Sequence, residues 1–434
     1  MGACDLLQRV SPSPCTQGKG RGGGRTSIGP RNPHPDPPPE YMGRGRRGLA
    51  ECVTHPRSMR IAAILLAGFL AGCSAAPRPA PTATGPAAAP QAIYARPVDR
   101  AIADGVAFLE SSQNQDGSWG TGTVTHGNEV MVSVPGSHDA FRVAVTALCV
   151  MALREAGEHE AHDRGVEFLV RHSCDVRRAD PELLYNVWAH AYVIESLSLE
   201  SRTNGQASIR DAINFNLDRM ERYETYIGGW DYYDFEARAQ KPGGGPTSFG
   251  TAAGLVALYE AKQDGFNYLP EVVKRGIRRL DEMRLPNGAC LYGTDYKYVP
   301  LLPANTVRGS AGRAVAVDYA LRLWGSPKLD DAACRQGLDT FFREHAALEN
   351  GRKRPYPHTT LYQVSGYYYY FDHYYAACLI ASLGADAKRQ YGSQLMNVIL
   401  PLQEADGSWW DYPMWDYHKP YGTAFAIMSL LRCR

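Results

Sequence analysis

The stretch "YYYYFDHYY" at Tyr367–Tyr375 sets one carboxyl group, Asp372, among six tyrosines and Phe371. Aromatic surroundings desolvate a carboxylate and raise its pKa, which would make Asp372 a proton donor. Its expected place in the first turn of a helix pulls the other way, because the helix dipole favours the ionised form. His190, in "WAHAYV", titrates near neutral pH and is a second acid-base candidate. Asp139, in "SHDAF", is the third, just ahead of an Ala-rich segment. Around these candidate catalytic residues stand the candidate binding residues Arg142, Trp188, Phe249, His373, Tyr374, Tyr375 and Tyr421. Aromatic faces with a few polar groups are the usual lining of a ligand pocket, and such faces also stabilise cations. Two aromatic loops, residues 228–246 and 409–421, place Asp231, Asp234, Asp411 and Asp416 beside Trp and Tyr. Such loops suit sugar rings, whose cleavage takes a pair of carboxyl groups. The cysteines after Cys73 form no Cys-x-x-Cys pair and keep no metal-ligand spacing with His, so no metal and no cofactor is expected.

Positioning these groups falls to a repeat. Six Ala-rich segments, 141–153, 185–197, 246–258, 311–323, 371–383 and 418–430, can be stacked on their last Leu. Their seventh, tenth and thirteenth residues are apolar and their remaining faces nearly so, the pattern of helices buried on most sides. The seventh column, Ala147, Ala191, Ala252, Val317, Ala377 and Ala424, lets neighbouring helices approach closely. Between these segments run six others with one apolar stripe and one charged face, as an outer layer should have. The alternation predicts an all-α (α/α)6 toroid over residues 96–434, six helical hairpins that bury their apolar faces on one another. Column two carries Arg142. Column four carries Trp188, Phe249, Tyr374 and Tyr421, and column six Thr146, His190, Thr251 and Thr423. All three columns are expected to line the mouth of a central cavity. Asp318, mid-helix in "AVDYA", needs a partner if it is buried.

The joints between outer and inner helices repeat as well. "QNQDGSW" carries Gln113, Asp116, Gly117 and Trp119, and "QEADGSW" carries Gln403, Asp406, Gly407 and Trp409. Gly229-Trp230 and Asn287-Gly288 occupy the same joint in the third and fourth units. Each offers a glycine free to take positive φ, and the full motif adds a Gln amide for open helix ends and a Trp to cover the joint. Together with "RGVEFL", these stretches resemble the QW motifs of squalene and terpenoid cyclases. The inner helices resemble those of the same cyclases and of the β subunits of protein prenyltransferases. The resemblance covers residues 96–434. It implies the toroid, a central cavity, and QW loops that tie helices together without doing chemistry. The family's Asp-rich acid motif is absent, and Tyr375 stands where the prenyltransferase zinc site has its His. Three functions are therefore expected as alternatives. The first is a module that binds an apolar or glycan ligand, or a protein partner, in or around an aromatic cavity. The second is a divergent cyclase-like isomerase using Asp372, and the third a carbohydrate-active toroid enzyme.

Residues 1–58 are rich in Gly, Pro and Arg with almost nothing to bury, which reads as a disordered or non-native extension ahead of a start at Met59. Residues 59–73, "MRIAAILLAGFLAGC", have a basic start, a short apolar run and a Leu-Ala-Gly-Cys ending that resembles the lipobox of bacterial lipoproteins. Cys73 is then the lipidated residue, and 74–95 a Pro/Ala tether. The expected location is the cell envelope, membrane-anchored on the periplasmic side or cell surface. Residues 1–72 hold ten Lys or Arg against four Asp or Glu, so the +1 of the whole chain becomes about −5 for residues 73–434. That balance lacks the basic footprint of a nucleic-acid binder.

Overall fold

Helices that are apolar on every face need neighbours on every face, and a closed ring provides them. The computed structural model describes residues 95–127, 137–176, 186–231, 242, 245–299 and 301–434. The signal, Cys73 and most of the tether lie outside the described residues. The inner helices are α2 (Ser137–Ala156), α4 (Asn186–Ser201), α6 (Ser248–Gln263), α8 (Val307–Leu323), α10 (Tyr369–Ser382) and α12 (His418–Cys433). The outer ones are α1 (Ala95–Ser111), α3 (Glu160–His172), α5 (Ala207–Tyr223), α7 (Pro270–Met283), α9 (Asp331–Arg343) and the shorter α11 (Ser393–Ile399). Each inner helix packs on the next, and α12 returns to α2, so the ring closes. This is the expected all-α toroid. No helix among the described residues is long and apolar enough to cross a membrane. The six cysteines after Cys73 are all free thiols.

The pairing of layers differs in one respect from the expected order of outer then inner. α3, α5, α7 and α9 each pack mainly on the inner helix that precedes them, and α1 packs on α12 at the far end of the chain. The hairpin unit is thus inner then outer, and α1 seals the ring. The stacking of the repeats also shifts in two units. Helices α2, α4, α6 and α12 continue beyond their aligned Leu, whereas α8 stops at Leu323 and α10 at Ser382.

The two full QW joints share one geometry. The Gln113 amide donates to Gly117 O at 3.0 Å and to Ala161 O of α3 at 2.8 Å. The Gln403 amide donates to Gly407 O at 3.0 Å and to Ala101 O of α1 at 2.9 Å. The indole N–H of Trp119 reaches Leu109 O at 2.7 Å and that of Trp409 reaches Ile399 O at 3.0 Å. Their backbone N–H groups donate to Thr146 and Thr423, at 3.1 and 3.0 Å. Trp230 repeats both bonds, to Met220 O and to Thr251. Each Trp ring also lies over a glycine of the next outer helix: Gly165 for Trp119, Gly276 for Trp230 and Gly105 for Trp409. Gly117 and Gly407, at φ 88° and 85°, press against backbone carbonyls of α3 and α1, where a Cβ has no room. The first motif thus clasps α3, and the last one clasps α1 across the seam of the ring.

Thr146, Thr251 and Thr423 therefore face the joints, which corrects the expectation that column six lines the cavity. Column two is corrected in the same way. Arg142 pairs with Asp116, and Lys419 pairs with Asp406. Asp318 finds its partner in Arg284 at the end of α7, with Nε to Oδ1 at 2.7 Å.

The centre of the ring is packed with aromatic rings. Trp188 stacks on Phe371 with centroids 5.4 Å apart and planes 4° apart. Phe249 meets Trp188 edge-on, and Phe425 meets Phe371 in the same way. Among the described residues an apolar cavity of about 50 Å³ lies beside Phe141, Leu148, Trp188, Phe371, Tyr421 and Phe425.

Candidate functional site

The expected catalytic residues fall in three separate places. Asp372 lies in the first turn of α10, buried, with Oδ1 lacking a hydrogen-bond partner among the described residues. Burial pushes its carboxyl well above the ordinary range against the pull of Arg313, and the nearby Asp411 charge adds to the rise. Desolvation thus wins over the helix dipole and favours the protonated form of the carboxyl. The space beside it is a polar pocket of about 10 Å³ shared with Tyr292, Arg313, His358, Ser365 and Tyr368. That is room for one water rather than for an isoprenoid ring, and it is distinct from the central apolar cavity.

His190 is fully buried and turned toward the outer layer, with Nδ1 2.6 Å from Asn216 Oδ1 and its ring against Tyr223. Burial holds it down to about 4, so it is a neutral core histidine at pH 7. His373 behaves alike. Its Nδ1 donates to Tyr369 O at 2.6 Å, its Nε2 lies 3.1 Å from His345, and burial brings it to about 3.

The aromatic candidates are spent on packing. Tyr374 donates its hydroxyl to Glu195 at 3.0 Å and gives its ring face to Arg432 at 4.8 Å. Tyr375 packs edge-on against Phe371, and Phe249 lies among Trp188, Tyr292 and Tyr368. Tyr421 donates to Asp411, whose other oxygen accepts the backbone N–H of Tyr370 at 3.1 Å. Burial pushes the Asp411 carboxyl up to about 7. Of the two roles open to the 409–421 loop, a sugar platform or a cover over the barrel end, its burial fits the cover. Tyr412, Met414, Trp415 and Tyr417 are buried in it, and Trp410 is half-buried under Lys353. Asp234 lies outside the described residues.

Asp139 and Arg142 are brought together at a different place, an open cleft of about 580 Å³. Asn114 and Thr121 of the first joint form one wall, the first turns of α2 form the floor, and Tyr417 closes the far side. Asp139 does not precede α2 as the sequence implied, since the helix already begins at Ser137. His138, beside it, has Nδ1 3.2 Å from the Tyr417 hydroxyl and its ring edge-on to Trp415 at 4.7 Å. Desolvation lowers the His138 pKa against the opposing charge of Asp139, leaving a neutral imidazole at pH 7. Burial raises the Tyr417 phenol above its ordinary value. A neutral imidazole has one acceptor nitrogen, which faces a ligand as a proton acceptor when Nδ1–H donates to the Tyr417 oxygen, with the exposed Asp139 carboxylate next to it. His138 and Tyr417 were absent from the expected site. The "SHDAF" stretch was a signal for the first, but its partner is 279 residues away.

No protein-family profile and no curated protein matches the chain. Solved structures do. A possible member of the GH105 family from Salmonella enterica aligns at 14% identity with a TM-score of 0.51, over 79% of this chain and 95% of that one. Cellobiose 2-epimerase from Bacillus thermoamylovorans aligns at 10% identity with a TM-score of 0.50, over 77% and 98%. A type II terpene cyclase from Scytonema aligns at 16% identity with a TM-score of 0.47, over 77% and 97%. At these identities the likeness extends to the fold alone, the α/α toroid.

Proposed function

We propose that the protein takes a hydroxyl-rich ligand of the saccharide class in the cleft over the first turns of α2, with His138 as the proton acceptor in any chemistry done there. The contrast in space carries this reading. The open cleft measures about 580 Å³, whereas the cavity beside the central aromatic rings measures about 50 Å³. Ligand pockets for small molecules run to about 300–1,000 Å³, so the cleft is of that size and the centre is not. That two solved toroids of similar backbone are described as a possible GH105 member and a cellobiose 2-epimerase supports the same ligand class. Saturation-transfer NMR against panels of neutral oligosaccharides and of isoprenoids tests it. The expected result is saccharide signal that His138→Gln weakens about tenfold, the worth of one lost hydrogen bond to a positioned group. Isoprenoid binding with no saccharide signal would overturn it and favour an apolar ligand.

We propose further that Cys73 carries the lipid that holds this toroid at the cell envelope through the 74–95 tether, on the strength of the Leu-Ala-Gly-Cys ending. In Triton X-114 partitioning the protein is expected in the detergent phase and the Cys73→Ser variant in the aqueous phase. Equal detergent partitioning of the two sinks the anchor.

A further inference from the structure

We infer that the ligand of this cleft carries a positively charged amino group that docks on Asp139, so that it is an amino sugar rather than a uronate. This rests on the saccharide reading and narrows it.

The donors along the cleft decide the matter. Arg142 is the guanidinium an acidic sugar would need, but its charge is already paired and its Nη2 hydrogens are in use. It pairs with Asp116, donates to Ser118 Oγ at 3.1 Å, and lies over the Phe168 ring at 5.3 Å. Asn114 has also spent its amide hydrogens, on Ser118 Oγ at 3.0 Å and Gly120 O at 3.1 Å. The nearby Lys419 is held by Asp406. Among the described residues lining the cleft, no uncommitted cation is left to meet a carboxylate ligand.

The acceptors show the opposite balance. Asp139 is exposed on the first turn of α2 and makes no hydrogen bond or ion pair among the described residues. It also faces an adjoining hollow of about 60 Å³, shared with Asp116, Arg142, Phe168, His172 and Asp175. There Asp175 is bonded to His172 at 2.9 Å, and Asp116 is neutralised by Arg142. Among the described residues of cleft and hollow, the carboxylates without a paired Arg or Lys are Asp139 and Asp175. A uronate brought there would meet the repulsion of these carboxylates, and an ammonium would meet a charge-assisted acceptor.

Isothermal titration with three oligomers of equal length tests this: glucosamine, N-acetylglucosamine and galacturonate. The glucosamine oligomer is expected to bind on the order of fivefold more tightly than the N-acetylated one, as for an exposed ion pair. That ratio should shrink with added salt. Asp139→Asn is expected to bring it close to one, and Asp139→Glu to restore it. Equal or tighter binding of galacturonate overturns the inference alone, as does a ratio that Asp139→Asn leaves unchanged. Failure of all three oligomers to bind, with the fold intact by circular dichroism, overturns the saccharide reading itself.

Discussion

Trp409→Ala is expected to lower folding stability by about 3–5 kcal/mol, the usual cost of truncating a buried Trp. The side chain is fully buried, and its indole N–H closes on Ile399 O at 3.0 Å. Its ring covers Gly105 of α1, so the cavity would open along the seam where the first helix meets the last. Collapse into that cavity is limited, because Gly105 offers no side chain and the Gln403 bond to Ala101 holds the backbone in place. The loss should therefore be localised. Hydrogen exchange is expected to show α1 losing protection before any other outer helix, since its removal reopens the ring without unpicking the other five units. Trp230→Ala removes an equivalent indole at an internal joint, so it should cost a similar amount while leaving α1 protected. A Trp409→Ala protein with undiminished protection in α1 and a shift below about 1 kcal/mol would refute the seam.

The second large effect is a dependence of stability on pH that Asp411 imposes. Its carboxyl is pushed up to about 7 by burial, against the hydrogen bonds from Tyr421 and Tyr370. In the unfolded chain it titrates near 3.8. Between those values the folded state holds a proton that the unfolded state has released. The contribution of Asp411 is therefore complete below the ordinary carboxyl range and is lost as pH climbs toward 7. Its size is on the order of 2–4 kcal/mol, from about 1.4 kcal/mol per unit. Glu195, also pushed to about 7 by burial and by the charge of Glu260, acts with the same sign. The buried His190 and His373, held to about 4 and about 3, act with the opposite sign over part of the same window. The whole-protein profile thus mixes the two, and the informative quantity is a difference. Asp411→Asn keeps an oxygen for the Tyr370 N–H and an amide for the Tyr421 hydroxyl, yet has no proton to hold. The variant should gain on the parent as pH rises from about 4 to 7, with a constant gap above that. Urea titrations of both proteins at pH 5 and pH 8 measure it, and parallel stabilities would count against a neutral buried Asp411.

How much of this was legible depends on range along the chain. The turn of each QW joint was readable because it lies within seven residues and recurs, as Trp119 and Trp409 do, whereas its partners on other helices, such as Ala161 and Ala101, were not. The polarity of the inner helices was readable from composition, yet their rotation was not. Thr146, Thr251 and Thr423 share a column with His190, and all four turn out to face the joints or the outer layer. A helix that is apolar all round carries no moment to say which face meets the axis. The same gap misplaced Asp372, which faces Arg313 across a one-water pocket and not the central cavity.

By itself, then, the sequence determined the fold: twelve alternating helices in six units, with matched clasps near the two ends, the last of which reaches the first helix. Local periodicity and turn chemistry suffice for that, because each unit can bury its apolar face only on the next. Tertiary structure alone decided where the space is. Whether aromatic rings leave a chamber or fill it depends on how Trp188 and Phe371, on different helices, come to stack. Whether a polar site exists depends on His138 meeting Tyr417 across the closed seam of the ring. Both are contacts between residues far apart in the chain, set by packing geometry that no local pattern encodes.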